Sequence, residues 1–197
     1  MSLILDGTLG ASIIQDGIVN SNKIADGSIG YVDLPSGSVL QVVNTIYTTR
    51  TSFTVGASTD TSVPGGNIVI TPKSSNSKFL IQVRYIFETD SGWDVMFNIQ
   101  KNGTRINTGG LNNTWSGIAM ATQSYGGGNN NDSTLELLSF STLDTSGSTA
   151  GTNITFNLVC SGNNVAHTSW VNRTFANDGA AGNENGTSEI IIWEIKG

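Results

Sequence analysis

The chain has few of the groups that carry out chemistry. It holds one cysteine, Cys160, so no disulfide closes within it, and one histidine, His167, too few for a histidine metal site. Lys and Arg number 9 against 15 Asp and Glu, a net charge of −6, with no basic cluster. A nucleic-acid partner requires a basic stripe and is therefore not expected. No apolar run approaches the roughly 18 residues of a membrane helix. Met1-Ser2-Leu3-Ile4-Leu5-Asp6 lacks a basic region followed by a long apolar one, so no signal peptide and no membrane insertion are expected. Lys and Glu, both strong helix formers, occur only five times each.

Small polar residues take their place. Ser (23), Thr (23), Asn (21) and Gly (24) supply nearly half of the 197 residues. Disordered chains combine low hydrophobicity with high charge, whereas this one is 37% apolar and 12% charged. The composition implies an all-β, loop-rich protein stabilised by packing and by chain–chain contacts.

The N-terminal segment carries an internal repeat. Asp6-Gly7, Asp16-Gly17 and Asp26-Gly27 stand ten residues apart, and Ile4, Leu9, Ile14, Val19, Ile24, Ile29 and Leu34 recur every five. A period of five fits neither regular structure: in a strand such residues face opposite sides, and in a helix they drift around the axis. Something must reset the direction, and Asp-Gly pairs alternating with Gly10, Asn20 or Gly30 supply residues that accept positive φ cheaply. The segment reads as short extended pieces separated by kinks, with every apolar side chain returned to one edge. A lone ribbon of this kind has few internal hydrogen-bond partners, and seven aliphatic side chains do not offset the entropy of ordering it. Identical copies wound about a shared axis would, because each presents the same edge.

Ile14-Gln15-Asp16-Gly17-Ile18-Val19 and Ile24-Ala25-Asp26-Gly27-Ser28-Ile29 resemble the stalk segments of bacteriophage tail-fibre and other virion-surface proteins, and the Asp33-Leu34-Pro35 ending is similar. The likeness covers residues 4–35.

Beyond Pro35-Ser36-Gly37 the pattern becomes strands separated by Gly/Asn/Ser turns. Runs are read at Val39–Tyr47, Ile68–Pro72, Phe79–Phe87, Trp93–Gln100, Leu135–Leu143, Ile154–Cys160, Val165–Phe175 and Glu189–Ile195. Phe79, Ile81, Val83, Tyr85 and Phe87 share one face, opposite Gln82 and Arg84; Ile191, Trp193 and Ile195 share another. Lys101-Asn102-Gly103-Thr104 marks a tight hairpin suited to a type I′ turn. The expected architecture is an antiparallel β-sandwich, jelly-roll-like, over residues 36–197, behind an extended repeat at residues 1–35.

Gly37-Ser38-Val39-Leu40-Gln41-Val42-Val43, Ile68-Val69-Ile70-Thr71-Pro72 and Ser77-Lys78-Phe79-Leu80-Ile81-Gln82-Val83 resemble a domain of phage virion proteins, particularly those of marine and cyanobacterial phages. The resemblance implies an intertwined homotrimer with a jelly-roll head similar to the tumour-necrosis-factor-like fold.

Candidate catalytic groups are weak. Glu88, Asp90 and Asp94 suggest a carboxylate pair, but Asp94 alternates with core residues and is read as solvent-facing, which argues against one; His167 is read as a surface or interface residue, and Cys160 as a buried thiol ending an apolar face. Gly126-Gly127-Gly128 lacks the Gly-Lys-Thr/Ser of a phosphate loop. No catalytic residue, metal or cofactor is expected. Loops on a rigid sandwich commonly carry binding, so Tyr125–Asn131, with Asn129 and Asn130, and 176–186 are candidate contact loops. Trp115, Tyr125 and Trp170 are candidates for stacking on a sugar or anchoring an interface, with core packing the competing reading for the tryptophans. Six Asn-x-Ser/Thr triplets are the number such a composition yields by chance and do not imply glycosylation.

The expected function is that of a non-enzymatic phage structural protein on the virion surface. Its partners are its own copies, other virion proteins of the capsid or tail, and a host surface glycan or protein. A short trimeric fibre contacting the host is the first reading. A trimeric capsid decoration (cement) protein, favoured by the short stalk without a preceding anchor domain, is the second. A monomeric carbohydrate-binding module is the alternative of another class; it has no use for a five-residue apolar ladder.

Overall fold

The computed structural model describes residues 24–90, 95–108, 116–121, 135–162, 164–176 and 184–197. The chain divides into two units, Met1–Leu34 and Pro35–Gly197.

In the first unit, the described residues begin at Ile24. Ala25 to Ser28 form a turn closed by Ser28 N–H donating to the Ala25 carbonyl at 3.0 Å. Gly27 occupies its third position at φ +76°, the conformation a type II turn demands and glycine accepts without strain. The expected Asp-Gly kink is therefore present at Asp26-Gly27. Gly30 behaves differently: it opens a second turn, with Asp33 N–H on the Gly30 carbonyl at 3.0 Å. The Asp33 carboxylate accepts from Gly30 N–H at 2.8 Å. That bend is made by an aspartate side chain, not by positive φ at glycine.

The second unit is all-β. Its strands are β1 (Val39–Tyr47), β2 (Thr51–Val55), β3 (Thr61–Ile70), β4 (Lys78–Thr89), β5 (Val95–Lys101), β6 (Thr104–Arg105), β7 (Ala119–Ala121), β8 (Glu136–Asp144), β9 (Ile154–Ser161), β10 (His167–Val171) and β11 (Ser188–Ile195), and no helix occurs among the described residues. All strand pairs are antiparallel. One sheet has six strands. Across its middle the order is β1-β11-β4-β8; the far end of β4 also pairs β10, and β10 pairs β2. The other sheet runs β3-β9-β5-β6, with β7 also on β5. The arrangement is that of a β-sandwich.

Period-two alternation drives the packing. In β4, Phe79, Ile81, Val83, Tyr85 and Phe87 are buried, while Gln82 and Arg84 are exposed. They meet Phe97, Ile99, Phe156 and Leu158 of the second sheet; Phe79–Phe156 and Phe87–Phe97 ring centroids lie 5.4 and 5.3 Å apart. Each such side chain contributes about 1.5–3 kcal/mol by burial. The β5–β6 hairpin turns on Asn102 (φ +50°) and Gly103 (φ +85°), both left-handed as a type I′ turn requires.

Two features depart from the sequence reading, and a third completes it. β2 and β7 were not expected. The residues 165–175 supply a strand only over His167–Val171. In β11 the inward face is Ser188, Ile190, Ile192 and Glu194, so Ile191, Trp193 and Ile195 share the outer, half-exposed face.

The head has two distinct poles. At one, Gly37 N–H donates to the Lys196 carbonyl at 2.8 Å and Lys196 N–H to the Ser38 carbonyl at 2.8 Å, so chain entry and chain end are tied together. The 71–77 connection, the Asn102-Gly103 turn and the 145–153 connection lie at the same pole, bound to one another through Asn76 to Ser148, Gly151 to Pro72 and Asn102 to Thr155. The strand register sends the connections 48–50 and 56–60, the C-terminal ends of β4, β7 and β9 and the N-terminal ends of β5, β8 and β10 to the opposite pole.

Candidate assembly surface

The outer face of the six-stranded sheet is the site the structure brings out. Register places side chains in rows across β8, β4, β11 and β1. Leu143, Leu80, Trp193 and Val42 form one row; Ser141, Gln82, Ile191 and Asn44 the next; Ser139, Arg84, Glu189 and Ile46 a third. The centre mixes Leu80, Ile191 and Trp193 with Gln82, Arg84 and Glu189, and its polar groups are internally satisfied. Trp193 Nε1–H donates to Gln82 Oε1 at 2.9 Å, Arg84 Nη2 stands 3.8 Å from Glu189 Oε2, and Arg84 Nη1 donates to the Thr187 carbonyl at 2.9 Å. The margins are apolar and open. On β1, Val39, Val42 and Ile46 are 47%, 48% and 58% exposed; on β8, Leu137 and Leu143 are 62% and 42% exposed.

β11 is apolar on both faces, with Ile190 and Ile192 buried and Ile191, Trp193 and Ile195 half-exposed. A strand hydrophobic on both sides is the pattern of one covered on both sides.

The ladder residues fall as follows. Ile24 (40% exposed) and Ile29 (59%) are open, and Leu34 is half-buried. Ile4, Leu9, Ile14 and Val19 lie outside the described residues, as do Trp115, Tyr125, Asn129 and Asn130. Trp170 is described and is 7% exposed, its ring edge-on to Phe175 at 4.7 Å between centroids. It serves packing, not an open contact surface, because β10 is flanked by β2 and β4 and the following segment folds back over it.

Several polar side chains of the head are buried or bonded to backbone. Glu88 is fully buried and accepts from Phe175 N–H. Asp90 Oδ1 accepts from Thr168 N–H at 2.8 Å, and Asp94 lies outside the described residues. Asn98 is buried, donating to the Ser116 carbonyl at 2.9 Å. Glu194 is fully buried near the entry pole. Its carboxylate accepts from Lys73 N–H (2.9 Å), Ser74 N–H (3.2 Å), Ser77 Oγ (2.6 Å) and Gln41 Nε2 (2.6 Å), clamping the 73–77 turn to the last strand. Asn172, at φ +58°, donates to the Tyr47 and Thr49 carbonyls and accepts from Ser188 Oγ. Asn172 opens one of the Asn-x-Thr triplets; its amide is buried and occupied.

Cys160 is buried, and burial pushes its thiol well above the ordinary range, so it is not thiolate at neutral pH. Among the described residues, no three His, Cys, Asp or Glu side chains gather as a metal site, and no helix is long and apolar enough to cross a membrane.

His167 is half-buried, and its Nε2 has no hydrogen-bond partner. Burial lowers its pKa, outweighing Asp90 and a bond to the Val165 backbone, which raise it. The neutral ring is thus the form the fold favours. Its stabilisation is complete above the unfolded value of about 6.5 and is lost as pH falls from there toward the lower folded value. The urea midpoint should drop between about pH 7.5 and about pH 5.5, and His167→Gln should drop less. An equal drop in both proteins would assign the effect to other groups.

The chain matches no protein-family model, and no curated protein matches it. The class that fold and site define is an all-β protein of antiparallel sheets, compatible with a β-sandwich, whose larger sheet has open apolar margins.

Proposed function

We propose that the protein is a non-enzymatic structural component of a bacteriophage particle surface, a homotrimer with residues 1–35 as its stalk and residues 36–197 as its jelly-roll head. The observation that carries this reading is the open apolar edge of the repeat: Ile24 and Ile29 are exposed five residues apart across an Asp-Gly turn. A chain on its own gains nothing from that edge, whereas copies sharing an axis bury it in every strand of the stalk.

Within that class, the role is a short fibre that contacts the host. The entry and exit of the head lie together at one pole, and β2, β4 and β9 end at the other. That polarity suits a head held at one end and making its contact at the other. Tyr125, Asn129 and Asn130 fall between β7 and β8 in the sequence, and the partner they suit is a host surface glycan or protein. A capsid decoration protein would use the same trimer but bind the shell through the stalk.

Light scattering behind size exclusion tests the trimer: the expected mass is three times that of the chain. A monomer at micromolar concentration would overturn the reading in favour of a carbohydrate-binding module. Electron microscopy of particles carrying a tagged copy then separates the roles, with label at the tail expected for the fibre and label over the shell for the decoration protein.

A further inference from the structure

We infer that the heads join side to side: the β1 margin of the outer sheet face on one copy covers the β8 margin on the next, and three such contacts close a ring. This rests on the trimeric reading above and adds which surfaces meet.

Four observations lead there. First, the face is depleted in charge. On a chain of net charge −6, its solvent-facing ionic side chains are Lys78 and Arg84 against Glu189. Like-charged copies repel, and this is a place where they need not. Second, the most open apolar side chains stand at the two lateral margins, while the apolar side chains of the centre are half-buried and its polar groups already paired. Third, the margins differ. The β1 side projects Val39, Val42 and Ile46. Between β8 and the centre runs a groove of about 390 Å³ walled by Gln82, Arg84, Ser139, Ser141, Glu189 and Ile191 and flanked by Leu137 and Leu143. Fourth, β1 and β8 are both sheet edges, and neither has a charged side chain on its outer face to protect it.

A side-by-side two-fold contact sets each margin against itself, so projecting side chains meet no groove, and a face-to-face two-fold contact gives a dimer, not the trimer on which this inference rests. A heterologous contact sets the projecting margin against the grooved one and, with the right rotation, closes into a ring. Three chains entering at the same pole keep their rows level, so Val42 of one copy faces Leu143 of the next, and Ile46 faces Ser139.

Cysteine cross-linking of the full chain tests this directly, because the native Cys160 is buried. The double variant Val42→Cys/Leu143→Cys, mildly oxidised, should run as covalent dimer and trimer on a non-reducing gel, while each single variant stays monomeric. Ile46→Cys/Ser139→Cys should do the same, and it guards against a misfolded first pair. Two results overturn the inference and leave the trimer standing: a single variant that cross-links to itself, or neither double variant cross-linking while light scattering still reports three chains. A monomer by light scattering, with no cross-link, removes both.

Discussion

Replacing Glu194 with alanine should cost the head about 4 kcal/mol and lower its melting temperature by roughly 10 °C. The carboxylate is fully buried and accepts from two backbone N–H groups, one hydroxyl and one side-chain amide. Alanine leaves those donors without their acceptor, and each buried unsatisfied group costs about 1–3 kcal/mol, with the sum less than additive because the turn relaxes. Glu194→Gln keeps one accepting oxygen but turns an N–H₂ toward donors, so about half the loss is expected. Urea unfolding of wild type and both variants measures this. A change below about 1 kcal/mol in Glu194→Ala would mean that the 73–77 turn is held by its serine network alone.

Substituting Asp for Ile14, Val19 and Ile24 together should abolish incorporation into particles while leaving the head folded. Each aliphatic covered by neighbouring copies contributes roughly 1.5–3 kcal/mol, and a carboxylate in its place adds desolvation and like-charge repulsion among three chains at one level. The head has its own core among the described residues, and Ile24 is not part of it. Circular dichroism should therefore keep its strand signal, while the N-terminal residues become protease-sensitive. Normal incorporation with a protease-resistant N-terminus would show that the five-residue ladder is not an assembly element.

The sandwich was largely legible because alternation reports burial directly. Phe79 to Phe87 showed both the strand and its inward face, and Asn102-Gly103 showed the hairpin. β2 (Thr51–Val55) was not legible, since Thr-Ser-Phe-Thr-Val has one aromatic in a polar run and takes its place from pairing with β10. Of the assembly face, Ile191, Trp193 and Ile195 were visible as a set, but alternation gives parity and not which side is inward. Glu194 is the instructive miss. It shares parity with Ile190 and Ile192, and that phase, once the inward side is known, marks it as a buried carboxylate in need of several donors. Asn172 offered no pattern at all, because its partners lie on residues 47, 49 and 188, far away in the chain.

The tie between chain entry and chain end also fixes how the head bears load. Gly37 and Ser38 bond to Lys196, and the β1–β11 ladder continues from Val39–Ile195 to Tyr47–Ser188. Tension applied at Pro35, with the opposite pole held, runs along β1 and stresses those rungs together in shear. Tension between Pro35 and Gly197 would instead open them one after another from the end. The same hydrogen bonds are thus strong against a pull through the length of the head and weak against one that separates its termini.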